Sequence, residues 1–600
     1  MLPTSIICSV SIYYLEPMIF NEYAQFLDQL EREPSRLGMT RILADLFAKL
    51  SFDEARVVAY FCTGILNPPY TNIQIGLADK SVVKVVAQLG SMTPERVQQN
   101  VDHAVDIGEV VAHMQWESLA ELSINQVYNA LIALAQQTGT GSQDAKIQGL
   151  ADLLQQVSPL SAKFIVRIVL GTLRLGFSDM TIIDALSWLL VGDKSLSGII
   201  EDAYNVCADI GYIASTVKKQ GIEGIKNIQI LVGVPIMPAA AERLSSAQEI
   251  ITKIGPCIAE PKLDGFRLQV HIDNRQAEKK VSFFSRNLLD MSAMYPDLVC
   301  ALEGLDVKTF IAEGEAIAFD PNTGSFMPFQ ETVKRKRKHD IAVKTQEIPL
   351  QLFFFDILYL DGQSLMPLSM VERRAKLVKL LAKSSINTQV IHVTQEKNIS
   401  DARELENYFL EQVAAGLEGV VVKRPDVPYQ PGKRNFNWIK LKRLASGHLL
   451  DSVDVVVLGY YYGSGKRAAF GIGAILVGVY NKLCDCFQTV AKVGTGFSDH
   501  EWQHIKKQCD MLVSSAQPKN VDCHKDLAPD VWVKPEMVLE ITADEITRSP
   551  LHSAARTSDQ PGFALRFPRF ERYRSDKTAY ETTTVQELLT LYKKQQETKN

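Results

Sequence analysis

AEPKLDGFRLQVHI, residues 259–272, sets a lysine between a proline and an Asp-Gly turn, just before a strand. In GFRLQVHI the apolar residues Phe266, Leu268, Val270 and Ile272 alternate with Arg267, Gln269 and His271, which predicts a half-buried strand. A lysine that attacks anything must first lose its proton. Bringing one from ~10.4 to about 7–8 takes ~4 kcal/mol, which desolvation and nearby cations can supply. Arg267, and Arg286 in FFSRN, are the cations close in sequence to Lys262. Lys-x-Asp-Gly alone is a weak signal, since an exposed lysine before a turn carries the same letters.

Working outward, PLQLFFFDILYLDG and GLEGVVVKR are dense β-branched or aromatic runs ending in turns or charge, with SMVERRAKLVKLLAK helical between them. Residues 231–443 therefore read as an α/β domain of antiparallel character. Residues 1–230 read as helices. SAKFIVRIVLGTLRLGF puts Ile165, Ile168, Val169, Thr172 and Leu173 on one stripe, with Arg167 and Arg174 off it. Ser178 and Asp179 are candidate N-caps for SDMTIIDALSWLL, and TGTGSQD from Thr138 is a loop. From 444 to 600, DSVDVVVLGYYYG, FGIGAILVGVYNK and CFQTVAKVGTGF are short strands with Gly-containing turns, which fits a small Greek-key barrel such as an OB-fold. TTVQELLTLYKKQQETKN closes the chain as a helix. The opening MLPTSIICSVSIYYLEPMIF lacks the basic region and small-residue cleavage site of a signal peptide. Met18 is a second candidate start, because a helical pattern follows it directly.

The chain has 600 residues and a net charge of -5, so phosphate binding would need local basic patches. Nine cysteines without paired spacing read as reduced thiols of a cytosolic protein, and Cys484 and Cys486 do not have a zinc-ribbon spacing. No stretch has the length and purity of a membrane span. KRKRK, Lys334 to Lys338, reads by default as a solvated loop; DNA-backbone contact and nuclear targeting are the functional readings. GSGKR at Gly463 is half a P-loop: Tyr460 stands where the first glycine belongs and Arg467 where Ser or Thr belongs, so a hairpin turn is expected.

Read in order, CIAEPKLDGFR, SRN, FIAEGEAIAFD, LFFFDILYLDG, GLEGVVVKR, NWIKLK and RFPRFERYRSDK resemble the motifs of the ATP-dependent DNA ligases of the covalent nucleotidyltransferase superfamily. PFQETVKRKRK, VPIMPAAAERL and GTLRLGFSD resemble segments of the three-domain archaeal and eukaryotic-type enzymes, so the resemblance spans nearly the whole chain. It implies a multidomain α+β protein: an all-helical N-terminal DNA-binding domain, an α/β nucleotidyltransferase (adenylation) domain of antiparallel sheets, and a C-terminal OB-fold β-barrel. It also implies a reaction. Lys262 attacks the α-phosphate of ATP and carries AMP; AMP passes to the 5′-phosphate at a nick; the 3′-hydroxyl then displaces it.

The resemblance further implies roles for individual residues. Glu260 lies on the adenine side, Arg267 and Arg286 near ribose and phosphate, and Glu315 at the ribose or at metal through water. Phe355 stacks on adenine, where such stacking is worth ~1–3 kcal/mol. Glu418 places Mg²⁺ with Glu315. Lys423, Arg434, Lys440 and Lys442 neutralise the triphosphate. Strand periodicity puts Glu418 and Lys423 on opposite faces, so Lys423 is expected beyond the strand's end. Arg574, Asp576 and Lys577 match the last motif, on the barrel domain, where they serve the departing pyrophosphate. RLASGHLLDS, 443–452, is the expected hinge for a barrel that swings. The implied partners are nicked duplex DNA and a sliding clamp. The implied setting is a monomer in replication, repair and recombination, in cytoplasm or nucleoid, or in the nucleus of a eukaryote.

Two positions depart from the family pattern: Leu288, where Gly often follows SRN, and Glu313, where many members have Asp. An RNA ligase or mRNA capping enzyme would share the lysine motif, but the long helical front and RYRSDK argue against both. An NAD-dependent ligase should carry a four-cysteine zinc finger, which is missing from the sequence. Intact Lys262, Glu315, Glu418 and Lys440 argue against a catalytically dead DNA-binding scaffold.

Overall fold

The computed structural model describes residues 16–597, apart from 105, 174, 176, 277–278, 321–324, 328–330, 333, 336–340, 443–451, 464–466 and 468–469. The expected hinge (save Ser452), Arg174, the last three residues of KRKRK and the middle of GSGKR therefore lie outside the described residues. The chain forms two compact units. One comprises Met1–Ala240, Leu263–Gln395 and Arg424–Asn435; the other comprises Ala241–Lys262, Glu396–Lys423 and Phe436–Asn600.

The first unit opens with helices running from Phe20–Arg32 to Ile210–Lys226. Ser51 with Glu54, and Ser123 with Gln126, form capping boxes that satisfy otherwise orphaned N–H groups. Phe20, Tyr23, Phe47, Phe61 and Phe164 are among the buried side chains of the helical core. Several local expectations change. The helix carrying Ile165 and Ile168 ends at Val169, so Thr172 and Leu173 lie beyond it. Arg167, off the apolar stripe, is nonetheless buried, because Glu31, Asp106 and Glu109 close around it at 2.8, 3.0 and 3.2 Å. Ser178 stands at the N-cap of Asp179–Val191 without a side-chain cap bond, and Asp179 instead accepts from the Tyr204 hydroxyl at 2.7 Å. Helix Ser142–Gln155 starts inside the TGTGSQD stretch.

A seven-stranded sheet follows in the same unit. Its path runs Lys280–Ser285, Phe266–Asp273, Thr309–Asp320, Leu350–Leu360 and Gln363–Ser364, with Ser325–Phe326 and Ile391–Val393 added beside it. Leu268, Val270, Ile272, Phe310, Ala312, Leu352 and Phe354 form the core on one face. The other face of Phe266–Asp273 was expected to be solvated, but Gln269 and His271 are buried as well. The segment preceding the second unit covers them. The Ile236 N–H donates to Gln269 Oε1 at 2.7 Å, and Gln269 Nε2 donates to the Ile236 carbonyl at 3.0 Å. The Gly233 N–H meets His271 Nδ1 at 3.0 Å. The polar half of the alternation thus supplies hydrogen bonds to irregular backbone. Burial drives the His271 pKa down to about 3, so the ring is neutral.

Of the two described members of KRKRK, Lys334 is exposed, as a solvated loop requires, and Arg335 is not. Arg335 is buried on Asp297 Oδ1 at 2.5 Å, and Lys334 pairs with Glu331.

The second unit holds a five-stranded sheet in the order Ala240–Arg243, Arg434–Lys442, Gly419–Lys423, Cys257–Pro261, Lys397–Ile399. Ala259, Val420, Val422, Ile439 and Leu441 pack one face onto Ile250 of helix Ala247–Ile254 and Leu405 and Tyr408 of helix Ala402–Ala414. Beyond it the chain is β-rich. Val453–Tyr461, Ala474–Asn481 and Cys486–Val493 pair antiparallel with bulges, as the three quoted runs predicted, and Val538–Thr542 joins Val453–Tyr461 to Arg569–Tyr573. Helix Val585–Glu597 follows. Cys484 and Cys486 are joined as a disulfide rather than free: Asp485 between them takes a positive φ of 49°, and the Cα atoms lie 5.3 Å apart. No described helix is long and apolar enough to cross a membrane.

Candidate active site

Strand alternation decides what the five-stranded sheet presents opposite its apolar face. Val421 is registered with Glu260 on one side and with Lys440 on the other; Lys423 faces Trp438, and Gly419 faces Lys442. Glu260, Lys423, Trp438, Lys440 and Lys442 therefore share one face. Lys423 is the last residue of its strand rather than beyond it, and Glu418 is the residue that lies outside. The alternation does not bind Glu418, which explains why opposite parity fails to separate it from the lysines.

Lys262 directly follows strand Cys257–Pro261. Its N–H donates to the Gly419 carbonyl at 2.9 Å, and its carbonyl accepts from the Glu418 N–H at 3.3 Å. This backbone pair sets the two side chains together, with Lys262 Nζ 2.6 Å from Glu418 Oε2. Lys442 Nζ reaches the same oxygen at 2.9 Å. Burial pushes the Glu418 carboxyl up, but the two ammonium groups outweigh it and hold the pKa at about 2. The immediate partner of Lys262 is thus an anion, contrary to the expected ring of cations. Nearby, Glu260 and Lys423 form a buried ion pair at 2.7 Å, and the Lys423 ammonium lies 4.8 Å from the Trp438 ring centroid.

The seven-stranded sheet carries a second group. Arg267 NH2 donates to both oxygens of Glu313 at 2.9 and 2.8 Å, and its NH1 donates to the Ala239 carbonyl at 2.7 Å. Burial opposes the guanidinium charge, but Glu313 overrides it and raises the pKa. The Tyr429 hydroxyl donates to Glu313 at 2.9 Å and accepts from the Ala239 N–H at 2.8 Å. Glu313, in place of Asp, thus holds one guanidinium nitrogen between its two oxygens. Glu315 lies opposite Arg267 across the strands. The register of Leu350–Leu360 slips between Phe354 and Asp356, leaving Phe355 as a bulge 5.5 Å from the Arg267 guanidinium. Arg286 lines a small cavity with Arg267, Gln269, Leu288 and Glu313. Leu288 adopts φ +62°, the conformation a glycine would take without penalty. Arg434 is exposed at the start of its strand.

On the β-rich region, Arg574 donates through Nε and NH2 to Asp576 at 2.9 and 2.8 Å. This holds the Asp576 carboxyl at about 2. Arg574 NH1 and Lys577 Nζ both reach Asp454. Trp438, Tyr429 and Asp454 were not expected among these residues. Trp438 sits inside the quoted NWIKLK, while Tyr429 and Asp454 carry no local signal. Among the described residues there is no group of three or more His, Cys, Asp or Glu side chains suited to hold a metal.

Three family models match the chain in order: "DNA ligase N terminus" over residues 19–187, "ATP dependent DNA ligase domain" over 238–442, and "ATP dependent DNA ligase C terminal region" over 468–577. The chain belongs to the ATP-dependent DNA ligase family. A "Probable DNA ligase" of Dictyoglomus thermophilum is 44% identical over 97% of this ligase and 99% of its own length. A "DNA ligase" of Pyrobaculum islandicum is 38% identical over 96% and 99%. The solved structure described as Pmar-Lig_PreS3 covers 92% of the ligase and 99% of its own chain at 20% identity and a TM-score of 0.54, a likeness of fold. The ligase therefore combines a helical N-terminal region, a central nucleotidyltransferase domain and a β-rich C-terminal domain. Its activity is the family's: ATP-dependent sealing of nicked DNA through a lysyl-AMP.

Proposed function

We propose that Lys262 is the lysine that carries AMP. Its Nζ forms the bond to the α-phosphorus of ATP, the bond to the β-phosphate oxygen breaks, and pyrophosphate leaves. The adenylyl group then passes to the 5′-phosphate of the nick, which returns the Lys262 amine, and the 3′-hydroxyl displaces AMP to close the strand. The observation that carries this reading is the registered pairing of Lys262 with Glu418, on a sheet whose functional face is lined by Lys423, Lys440 and Lys442.

Glu418 gives the lysine a defined position before nucleotide binds. The attacking amine requires that this carboxylate be drawn to another cation. Glu418 is ionised well below neutral pH. A hard carboxylate with few acidic neighbours fits Mg²⁺, which keeps most of its shell as water and phosphate oxygen. Glu315 is the second carboxylate of this reading, at the ribose or at metal through water. Bound Mg²⁺ would supply charge neutralisation to the phosphates. Glu260 and Phe355 serve the adenine, Arg267 and Arg286 the ribose and phosphate, and Lys423, Arg434, Lys440 and Lys442 the triphosphate. Arg574, Asp576 and Lys577 serve the pyrophosphate side. The domain limits that go with this reading are 1–230, 231–443 and 444–600.

The test is covalent labelling with α-labelled ATP. Lys262→Ala should lose the label and still bind a nicked duplex. Retention of label by that variant would refute the assignment. Labelling by GTP in place of ATP would favour capping chemistry instead.

A further inference from the structure

Asp454 gathers two cations, Arg574 and Lys577, on one carboxylate. It is the second residue of strand Val453–Tyr461, and it is pinned there. Its N–H donates to Thr583 Oγ1 at 3.1 Å, and its carbonyl accepts from the Thr583 N–H at 2.9 Å. Arg574 NH1 lies 2.9 and 3.0 Å from its two carboxylate oxygens. Lys577 Nζ lies 2.6 Å from Oδ2, one of the same pair. The depth of the groups is graded: the Asp454 side chain is 12% exposed, Arg574 14%, Lys577 32% and Asp576 64%. Arg574 is therefore as buried as the carboxylate, and Lys577 is the more open of the two cations.

The arrangement is tied to the sheet from both ends. Val538–Thr542 pairs with Val453–Tyr461 on one edge and with Arg569–Tyr573 on the other, and the Arg574 N–H donates to the Val538 carbonyl at 2.9 Å. Arg574 and Lys577 thus arrive over Asp454 because the strands are registered to place them there. Asp576 and, at 3.5 Å, Glu540 Oε2 also hold Arg574, but among the described residues Asp454 is the carboxylate that touches Arg574 and Lys577 together, so its charge is what draws the two like charges to one place. A diphosphate group needs both at once.

We propose that Asp454 is a positioning residue for adenylylation: it holds Arg574 and Lys577 side by side so that they meet the pyrophosphate half of ATP as a pair. This rests on the reading in which Arg574 and Lys577 serve the first step only. It predicts a step-specific defect that a merely structural carboxylate would not give.

The experiment uses the full chain and two substrates. One is ATP, with Lys262 adenylylation followed across its concentration. The other is a nicked duplex already carrying 5′-AMP, whose sealing releases no pyrophosphate. Asp454→Asn should slow adenylylation at limiting ATP by about tenfold or more, chiefly by raising the half-saturating ATP, and leave sealing within about twofold. In an Arg574→Ala/Lys577→Ala background the same substitution should change adenylylation by less than about twofold, because its targets are gone. Asp454→Glu, which keeps the charge, should recover most of the rate, and it carries the test if Asp454→Asn fails to fold. Equal loss of both steps, an undiminished effect in the double-alanine background, or unchanged ATP dependence would each overturn the proposal. Wild-type labelling and its loss in Lys262→Ala report on the nucleophile separately, whatever Asp454 does.

Discussion

Replacing Lys423 by methionine preserves the length of the side chain and removes its ammonium. Lys423 and Glu260 lie 2.7 Å apart with 1% and 3% of their side chains exposed. At an effective dielectric of ~20 their attraction is about 6 kcal/mol, before desolvation. Desolvating two ions offsets much of this, so the intact pair contributes little net stability. Breaking the pair is a different matter. Lys423→Met leaves a carboxylate buried without its cation, which costs ~3–5 kcal/mol. Adding Glu260→Gln removes that charge and should return most of the loss. The cost belongs to the five-stranded sheet, where Lys423 is registered with Trp438. Whole-chain melting of a multidomain protein does not isolate it. Amide hydrogen exchange at Val420–Lys423 does. The single variant should lose protection by about 10²–10⁴-fold, and the double variant should recover to within about tenfold of wild type. A single variant as protected as wild type, or a double variant no better than the single, would refute the reasoning.

Further outcomes follow from the same geometry. A Cβ on Gly265 would lie 2.2 Å from the Ala316 carbonyl oxygen, so Gly265→Ala must push the backbone around 265 away from the strand that carries Ala316. It should cost ~1–3 kcal/mol and slow adenylylation, and unchanged amide hydrogen-exchange protection along Phe266–Asp273 would show that the turn yields freely. Glu418 has its pKa lowered to about 2, below the ~4.3 of an unfolded glutamate. Its contribution to stability is complete above the unfolded value and is lost as pH falls through the window down to about 2. Glu418→Gln should therefore flatten the acid limb of the stability profile, and an identical acid limb in the variant would contradict this.

Much of the fold is legible because it rests on local patterns. GFRLQVHI, LFFFDILYL and VDVVVLGYY form strands where alternation or β-branched density places them, and Ser369 with Glu372 caps the helix of SMVERRAKLVKLLAK. What the sequence conceals is what covers each face. Gln269 and His271 alternate as a solvated edge would, yet backbone from Gly233 to Ile236 closes over them. Arg167 and Arg335 stand where a charge should be solvated, and distant carboxylates bury both. The site residues show the same limit. Lys262 and Glu418 can be picked out by motif, but Tyr429 reaches Glu313 across 116 positions and Arg574 reaches Asp454 across 120. Periodicity over ten residues carries no information about such pairs. The anionic partner of Lys262 belongs with them, since motif order alone suggested a lysine among cations.

The central claim is that one amine, at position 262, bonds to the α-phosphorus of ATP. Incubating the full chain with ATP and Mg²⁺, digesting it under conditions that preserve a phosphoramidate, and mapping the adenylylated peptide by mass spectrometry tests it directly. The account predicts one AMP-bearing peptide containing Lys262, whose adduct disappears when nicked DNA is added. An adduct on any other lysine, or nick sealing by the ligase without an adduct at 262, would contradict it.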